Sequence, residues 1–234
     1  MLDSPESQRR IGLAAWVMAW VALVAGQLHA LSRYRTDEGR NDLESVIVRA
    51  WAEPADDLLR PLLDWGSANT VYLTYGKIWF PVVLAMTLCA FVVQRHRRDA
   101  GIDRVETWAW RVALTSYVGV TAGTFAQYWT QWREGNEALL DAVFLVLVPF
   151  LLLTMIGSTF LGIVLIRRGV GLPAWLLALA IPGLIVISEV TSLGNVLLPV
   201  VFGFGLLGRR LVSGSMGDAR SRDDRRAEGR PAAD

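Results

Sequence analysis

Six polar side chains lie close to the ends of long apolar runs, where they could bind a ligand or move a proton. They are Gln27, His29, Lys77, Gln127, Asp141 and Glu189. An ionisable group inside a membrane segment is costly to bury and therefore suggests a functional site. A contact between His29 and Asp141, or between Lys77 and Glu189, could bind a small polar ligand, relay protons or hold a metal ion.

The competing interpretation is ordinary polarity at the ends of membrane segments. Each of these residues lies within about two helical turns of the water, and long side chains reach the headgroup region at little cost. We favour this interpretation. If a ligand does bind, we expect an outward-opening site that includes His29, Lys77, Asp141 and Glu189.

No arrangement typical of an enzyme or a metal site stands out in the sequence. The two histidines, His29 and His96, are predicted on opposite sides of the membrane, and neither belongs to an HExxH-type motif. The single cysteine, Cys89, excludes an intrachain disulfide and a CxxC pair. We therefore predict no catalytic residues, no metal and no cofactor. We do not expect an enzyme, although these patterns alone leave that question open.

Two glycine patterns indicate close packing of helices. Residues 203–208 match GxGxxG, but a dinucleotide site needs a strand before the motif and a helix after it. Here the motif ends an apolar run and is followed by Arg209 and Arg210. Gly119 and Gly123 have the GxxxG spacing through which membrane helices approach each other, so we predict a possible helix–helix partner there. Nothing indicates nucleic acid as a partner.

The elements that must position these residues are membrane-spanning helices. Of the 234 residues, 53% are hydrophobic, and they are grouped in long runs. Residues 142–166, for example, exceed the roughly 20 residues that cross about 30 Å of hydrocarbon. The polar segment 32–70 is too short to fold alone as an ordinary globular domain. The lipid bilayer is therefore the first expected partner.

We predict an all-α, polytopic transmembrane bundle of six spans. An N-terminal segment, 1–10, precedes the spans, which are residues 11–31, 71–93, 108–129, 138–166, 173–187 and 196–207. The fifth and sixth could instead form one span and a re-entrant piece, because Pro182, Gly183 and Pro199 disturb helix continuity.

Arginine placement predicts the orientation of these spans. Fifteen arginines fall in the segments predicted to be cytoplasmic and six in the segments predicted outside. Such an excess marks the cytoplasmic side. We therefore predict a multi-pass protein of the plasma membrane with both termini in the cytoplasm. The apolar stretch after residue 10 resembles a signal peptide, but it continues to Leu31, so we expect an uncleaved first span.

The first outer segment, 32–70, is predicted to form two short helices, 41–52 and 54–65. Apolar residues recur at helical spacing in the first, and Pro54 suits the first turn of the second. We expect these helices to cap the bundle, with docking of a partner protein as the alternative. The tail 213–234 contains almost no apolar residues and is predicted to be disordered.

One stretch resembles a group of known proteins. Its pattern is a small-residue span from Gly157, the basic pair Arg167 and Arg168, and then Leu172 and Pro173 opening the next span. The pattern resembles the fourth and fifth spans of six-span bacterial membrane proteins, mostly actinobacterial, that have no assigned activity. The long first outer segment departs from the short first loop of that group. The resemblance implies a six-span fold and no particular activity.

Two functions stay open at this point. The first is a non-enzymatic structural or accessory membrane subunit that associates through its spans or outer helices. The second is a small transporter or carrier that uses the outward-facing polar groups. Internal repeats would favour a transporter, but no motif recurs between the two halves of the chain. We therefore expect the first.

Overall fold

A computed structural model describes residues 4–37, 39–130, 137–191 and 193–214, with the backbone alone at 42, 137, 138, 140, 141, 193 and 194. Within these residues the chain forms helices and no β-strand. In chain order the helices are α1 (Pro5–Tyr34), α2 (Val46–Leu63), α3 (Ala68–Lys77), α4 (Trp79–Asp99), α5 (Arg104–Trp129), α6 (Glu137–Arg167), α7 (Leu172–Ala178), α8 (Ala180–Val190) and α9 (Leu198–Ser213). Short 3-10 helices precede α2 and α9, at Arg40–Glu44 and Leu193–Leu197. Beyond residue 214, the tail predicted to be disordered lies outside the described residues.

Several of these helices are long and apolar enough to cross a membrane. Four such segments are α1, the pair α3–α4 over Ala68–Asp99, Ala142–Arg167 of α6, and Asn195–Ser213, which contains α9. The pair α7–α8 is bent by 64° and makes a fifth if it forms one span. The described chain is therefore all-helical with four to five candidate membrane-spanning segments.

α5, which corresponds to the predicted third span, is less apolar than these segments but runs alongside them. It is 26 residues long, so its axis measures about 39 Å. Near its first turn, Glu106 binds Arg97 at the end of α4. Near its last residue, the indole nitrogen of Trp129 donates to the backbone carbonyl of Lys77, where α3 ends. α5 is thus antiparallel to the α3–α4 pair over nearly its whole length.

Both ends of the described chain lie at the same end of the bundle. α1 and α9 pack antiparallel, so that Gly12 near the start of α1 faces Gly208 near the end of α9. A Cβ atom on Gly12 would lie 2.5 Å from the carbonyl oxygen of Gly208, which is too close for any larger side chain. We call the end of the bundle that contains Gly12 and Gly208 the inner end, and the opposite end the outer end.

Both glycine patterns lie at close contacts between helices of the chain itself, while a partner helix at Gly119 and Gly123 stays a prediction. Gly203 packs against Leu177 of α7, while a Cβ on Gly205 would meet Ala19 of α1 at 2.9 Å. Gly119 and Gly123 of α5 face the side chains of Phe150 and Leu147 in α6. Because lipid tails are as apolar as the helix surfaces, close van der Waals contact between small residues is a main source of attraction between such helices.

Two helix breaks follow from proline. Pro81 has no N–H, so the Lys77 carbonyl loses the donor that would normally lie four residues further on, and α3 ends there. Trp129 supplies the missing donor, with its Nε1 3.0 Å from that oxygen. Pro182 stands in the same relation to Ala178, the last residue of α7. The predicted fifth span, 173–187, is therefore two helices rather than one.

The first outer segment differs from its prediction. One helix, α2, continues through Pro54 and Pro61, so the predicted boundary between two helices was wrong. Asn41 lies in the preceding 3-10 helix and does not cap α2. Two missing N–H donors are tolerated because α2 buries Val48 and Ala52 in a small apolar core with the ends of α1 and α3. Tertiary burial here outweighs the local preference of proline.

Replacing Gly12 with valine should destabilise the bundle, because the new side chain would overlap the α9 backbone at Gly208. We expect a loss of about 1–3 kcal/mol, the usual cost of overpacking. Ala14→Val is the matched control, since Ala14 is exposed on the same helix, and it should change stability by less than about 0.5 kcal/mol. Thermal unfolding in detergent measures both variants. Equal melting temperatures would contradict the close contact between α1 and α9.

Candidate functional site

The four predicted ligand-binding residues lie in different surroundings. His29 is buried near the outer end of α1, with 2% of its surface exposed. Lys77 is half-buried at the end of α3, and Glu189 is exposed near the end of α8. Asp141 lies in α6, but its side chain is outside the described residues. The shared site of these four residues stays a prediction, and His29 is the member whose surroundings can be analysed in detail.

His29 is enclosed by two tyrosines from other helices. Its ring stacks on the ring of Tyr72 in α3, with the centroids 4.7 Å apart. Its Nε2 lies 3.2 Å from the hydroxyl of Tyr128 in α5, and that hydroxyl lies 3.5 Å from the hydroxyl of Tyr72. The three side chains form an aromatic cluster that joins α1, α3 and α5 at the outer end. Neither tyrosine belonged to the predicted site.

A close approach of α3 to α5 makes this cluster possible. Gly76, one turn after Tyr72, lies against the ring of Tyr128, where a Cβ atom would stand 2.2 Å from Cε1. Any larger side chain would displace Tyr128 from His29. The one signal in the sequence is a glycine one helical turn from an aromatic residue, which is typical of close helix approach. It does not say which residue of another helix fills the space.

A cavity of about 340 Å³ opens at the outer end, between the end of α1 and α2. Four of its lining residues are apolar or aromatic and four are charged: Leu31, Tyr34, Leu43, Ala52, Arg35, Glu53, Asp56 and Asp57. Its volume falls within the range of small-molecule sites. Three carboxylates against one guanidinium suit a small cation with an apolar body better than an anion. His29, Lys77 and Glu189, the predicted ligand-binding residues whose side chains are described, do not line this cavity.

Arg35 organises the charged wall of the cavity. Its guanidinium donates to both carboxylate oxygens of Asp56, at 2.6 and 2.8 Å, and also to Asp64 just after α2. The hydrogen bond to Asp56 is the main reason that the pKa of Arg35 is raised above its ordinary value. A two-pronged pair of this kind is strong and directional, so it ties α2 to the end of α1.

A second charged cluster lies at the inner end. Glu106, in the first turn of α5, is completely buried, and Arg97 of α4 donates to its two oxygens at 2.8 and 3.0 Å. Arg168, which follows α6, lies 3.6 Å from Glu106 and also pairs with Asp103. Asp103 caps α5 by accepting from the Glu106 amide at 2.8 Å. The cluster therefore joins the ends of three helices.

The chemistry of the inner cluster is that of a structural anchor. Both oxygens of the Glu106 carboxylate accept hydrogen bonds, and the Trp110 indole adds a longer one at 3.4 Å. A carboxylate that is engaged on both oxygens holds its neighbours in place. In the part of the chain that the structure describes, no three His, Cys, Asp or Glu side chains are grouped as a metal site.

In comparisons with known proteins, no family model, no curated protein and no solved structure matches this chain. The resemblance to six-span bacterial membrane proteins therefore stays a prediction.

Replacing Glu106 with glutamine should weaken the inner end of the bundle. Loss of the negative charge leaves Arg97 partly buried without its ionic partner, and we expect a cost of about 2–4 kcal/mol. Glu6→Gln is the matched control, because Glu6 pairs with Arg10 in an exposed position, where an ion pair contributes little. Denaturant titration of both variants in detergent measures the difference. Equal losses of stability in the two variants would show that the buried Glu106–Arg97 pair contributes no more than the exposed Glu6–Arg10 pair.

Proposed function

We propose that this chain is a six-span protein of the plasma membrane whose inner end, with both termini, lies in the cytoplasm. This count adds α5, which lies between α4 and α6 along the chain and is intermediate in length between them. The charge distribution supports the orientation, since arginine is enriched on the cytoplasmic side. Ten described arginines lie at the inner end and five at the outer end: Arg9, Arg10, Arg95, Arg97, Arg98, Arg104, Arg167, Arg168, Arg209 and Arg210, against Arg33, Arg35, Arg40, Arg49 and Arg60.

Within that membrane frame, we propose a non-enzymatic accessory subunit that binds a partner protein through α2. The observation that carries this proposal is an exposed apolar face on a helix at the outer end. Ile47, Leu58 and Leu62, which we call the docking face, are 57%, 79% and 47% exposed. Isolated exposed leucines are common, but a contiguous apolar face marks an interaction surface.

The docking face is distinct from the face that holds α2 to the bundle. At 3.6 residues per turn, Ile47, Leu58 and Leu62 fall on one side of the helix, next to the buried side that contains Val48 and Ala52. The charged residues occupy the remaining side. α2 therefore has two apolar sides and one charged side. Packing against α1 and α3 buries one apolar side, whereas Ile47, Leu58 and Leu62 on the other stay exposed.

α2 is also held firmly enough to present this face in one orientation. Arg35 binds Asp56 from the end of α1. On the side of the docking face, between Ile47 and Leu58 along the helix, the Trp51 indole donates to the backbone carbonyl of Val190, the last residue of α8, at 2.6 Å. A preorganised surface loses less conformational entropy when it binds, so its apolar contacts translate into affinity more fully.

The partner that fits this surface is an amphipathic helix with an apolar stripe. Such a helix would lie along Ile47, Leu58 and Leu62. Within α2, the positions three and four residues from Leu58 and Leu62 carry no charge. A docking face without basic residues at its border offers no attraction to an anionic lipid layer and favours an apolar protein surface.

A second candidate, a small carrier, is supported by the outer cavity. Its acidic wall and its apolar wall suit an organic cation, and it opens on the side of the membrane where the sequence predicted a polar site. The carrier proposal requires a path from this cavity through the bundle. The accessory role requires only the exposed face, and we favour it for that reason.

Photo-crosslinking in intact cells tests the accessory role. A photoreactive amino acid replaces Leu58 on the docking face, and the same amino acid replaces Leu145 on α6 as a control. The two positions are matched in exposure, at 79% and 77%, but Leu145 lies within the candidate span Ala142–Arg167, near its outer end. We expect a discrete protein adduct from position 58 and lipid adducts alone from position 145.

A third chain carries Leu62→Asp together with the photoreactive group at position 58. The added charge disrupts the apolar face without touching the buried side of α2, so the protein adduct should fall at least about tenfold. Lipid adducts alone from position 58 would contradict the accessory role and indicate that α2 rests on the membrane surface. An adduct that survives Leu62→Asp unchanged would contradict the docking face.

A further inference from the structure

His29 and Asn195, two residues near the outer end, each carry buried side-chain atoms without a hydrogen-bond partner among the described residues. In His29, Nε2 faces Tyr128 but Nδ1 faces no donor or acceptor. In Asn195, which lies in the 3-10 helix before α9, the amide nitrogen and oxygen are both unpartnered. Asn195 is completely buried. A polar group buried without a partner costs about 1–3 kcal/mol, so two such residues call for an explanation.

The two side chains are neighbours on one face of α1. The Oδ1 atom of Asn195 lies only 2.1 Å from the position that a Cβ atom on Gly26 would occupy. Asn195 therefore fills the space of a side chain at position 26. His29 follows three residues later, and residues three apart on a helix are neighbours on its surface, with Cβ atoms about 5–6 Å apart. The unpartnered groups thus lie beside the surface of α1 around positions 26 and 29, and this region lies between them.

We propose that this region binds an internal water molecule that bridges Nδ1 of His29 and the side-chain amide of Asn195. The ligand must be able to donate and to accept, because Asn195 offers both an N–H and an oxygen. It must also suit either tautomer of His29, since Nδ1 donates a hydrogen bond when Tyr128 donates to Nε2 and accepts a hydrogen bond when Nε2 donates to Tyr128. Water meets both conditions, and buried waters typically satisfy two to four polar groups.

The bridge extends a hydrogen-bonded chain into the bundle. The chain begins at Tyr72, which is partly exposed, and passes to Tyr128 and then to Nε2 of His29. The water carries it on to Asn195, in the 3-10 helix that leads directly into α9. This polar path is independent of the proposed docking of a partner on α2.

Solid-state NMR on the full-length protein in lipid bilayers tests the proposal directly. The chain has two histidines, and His96 is exposed at the inner end, so His96→Gln leaves His29 as the one histidine. With ¹⁵N-histidine labelling, transfer of magnetisation from water to Nδ1 reports whether a water molecule contacts that atom. We expect clear transfer to Nδ1 in the His96→Gln protein.

Two further variants separate the bridge from its surroundings. Asn195→Leu removes one side of the bridge, and we expect transfer from water to Nδ1 to fall several-fold. Tyr128→Phe removes the partner of the other ring nitrogen, and transfer to Nδ1 should persist. No transfer to Nδ1 in the His96→Gln protein would overturn the proposal by itself, whatever the other two variants show. Transfer that is unchanged by Asn195→Leu would overturn the bridging role of Asn195.

Discussion

The buried carboxylate of Glu106 is the constraint on which the arrangement of the inner end depends. An unpaired carboxylate away from water is costly by several kcal/mol, so α5 can begin at this depth only if cations lie beside it. Arg97 at the end of α4 and Arg168 after α6 provide them. The three helix ends must therefore lie at one level. That requirement places α5, the more polar helix, between two apolar neighbours along its length.

The outer end is held by a different combination of forces. Arg35 joins α1 to α2 through carboxylates, while the aromatic cluster around His29 joins α1, α3 and α5 through rings and hydroxyl groups. These contacts fix α2 firmly but cover only one of its two apolar faces. The same construction that stabilises the outer end therefore leaves the docking face exposed, and it encloses the polar region beside His29 and Asn195.

The long apolar helices could be predicted because the length of an apolar run is a property of the local sequence. Predicted span 138–166 differs from α6 by one residue at each end. The partners of His29 could not be predicted, because Tyr72 and Tyr128 are 56 residues apart and belong to different helices. Periodicity shows which face of a helix is buried, but not what it meets. α2 was divided wrongly at Pro54 because burial of its inner face outweighs the missing N–H.

Cysteine labelling in intact cells tests most directly whether α5 crosses the membrane. Thr130 follows α5 at the outer end and Asp99 ends α4 at the inner end, and both are exposed, whereas the native Cys89 is buried and serves as the background. A membrane-impermeant maleimide should label Thr130→Cys in intact cells, and Asp99→Cys only after the cells are opened. Labelling of both positions from the same side of the membrane would contradict a spanning α5 and the six-span account.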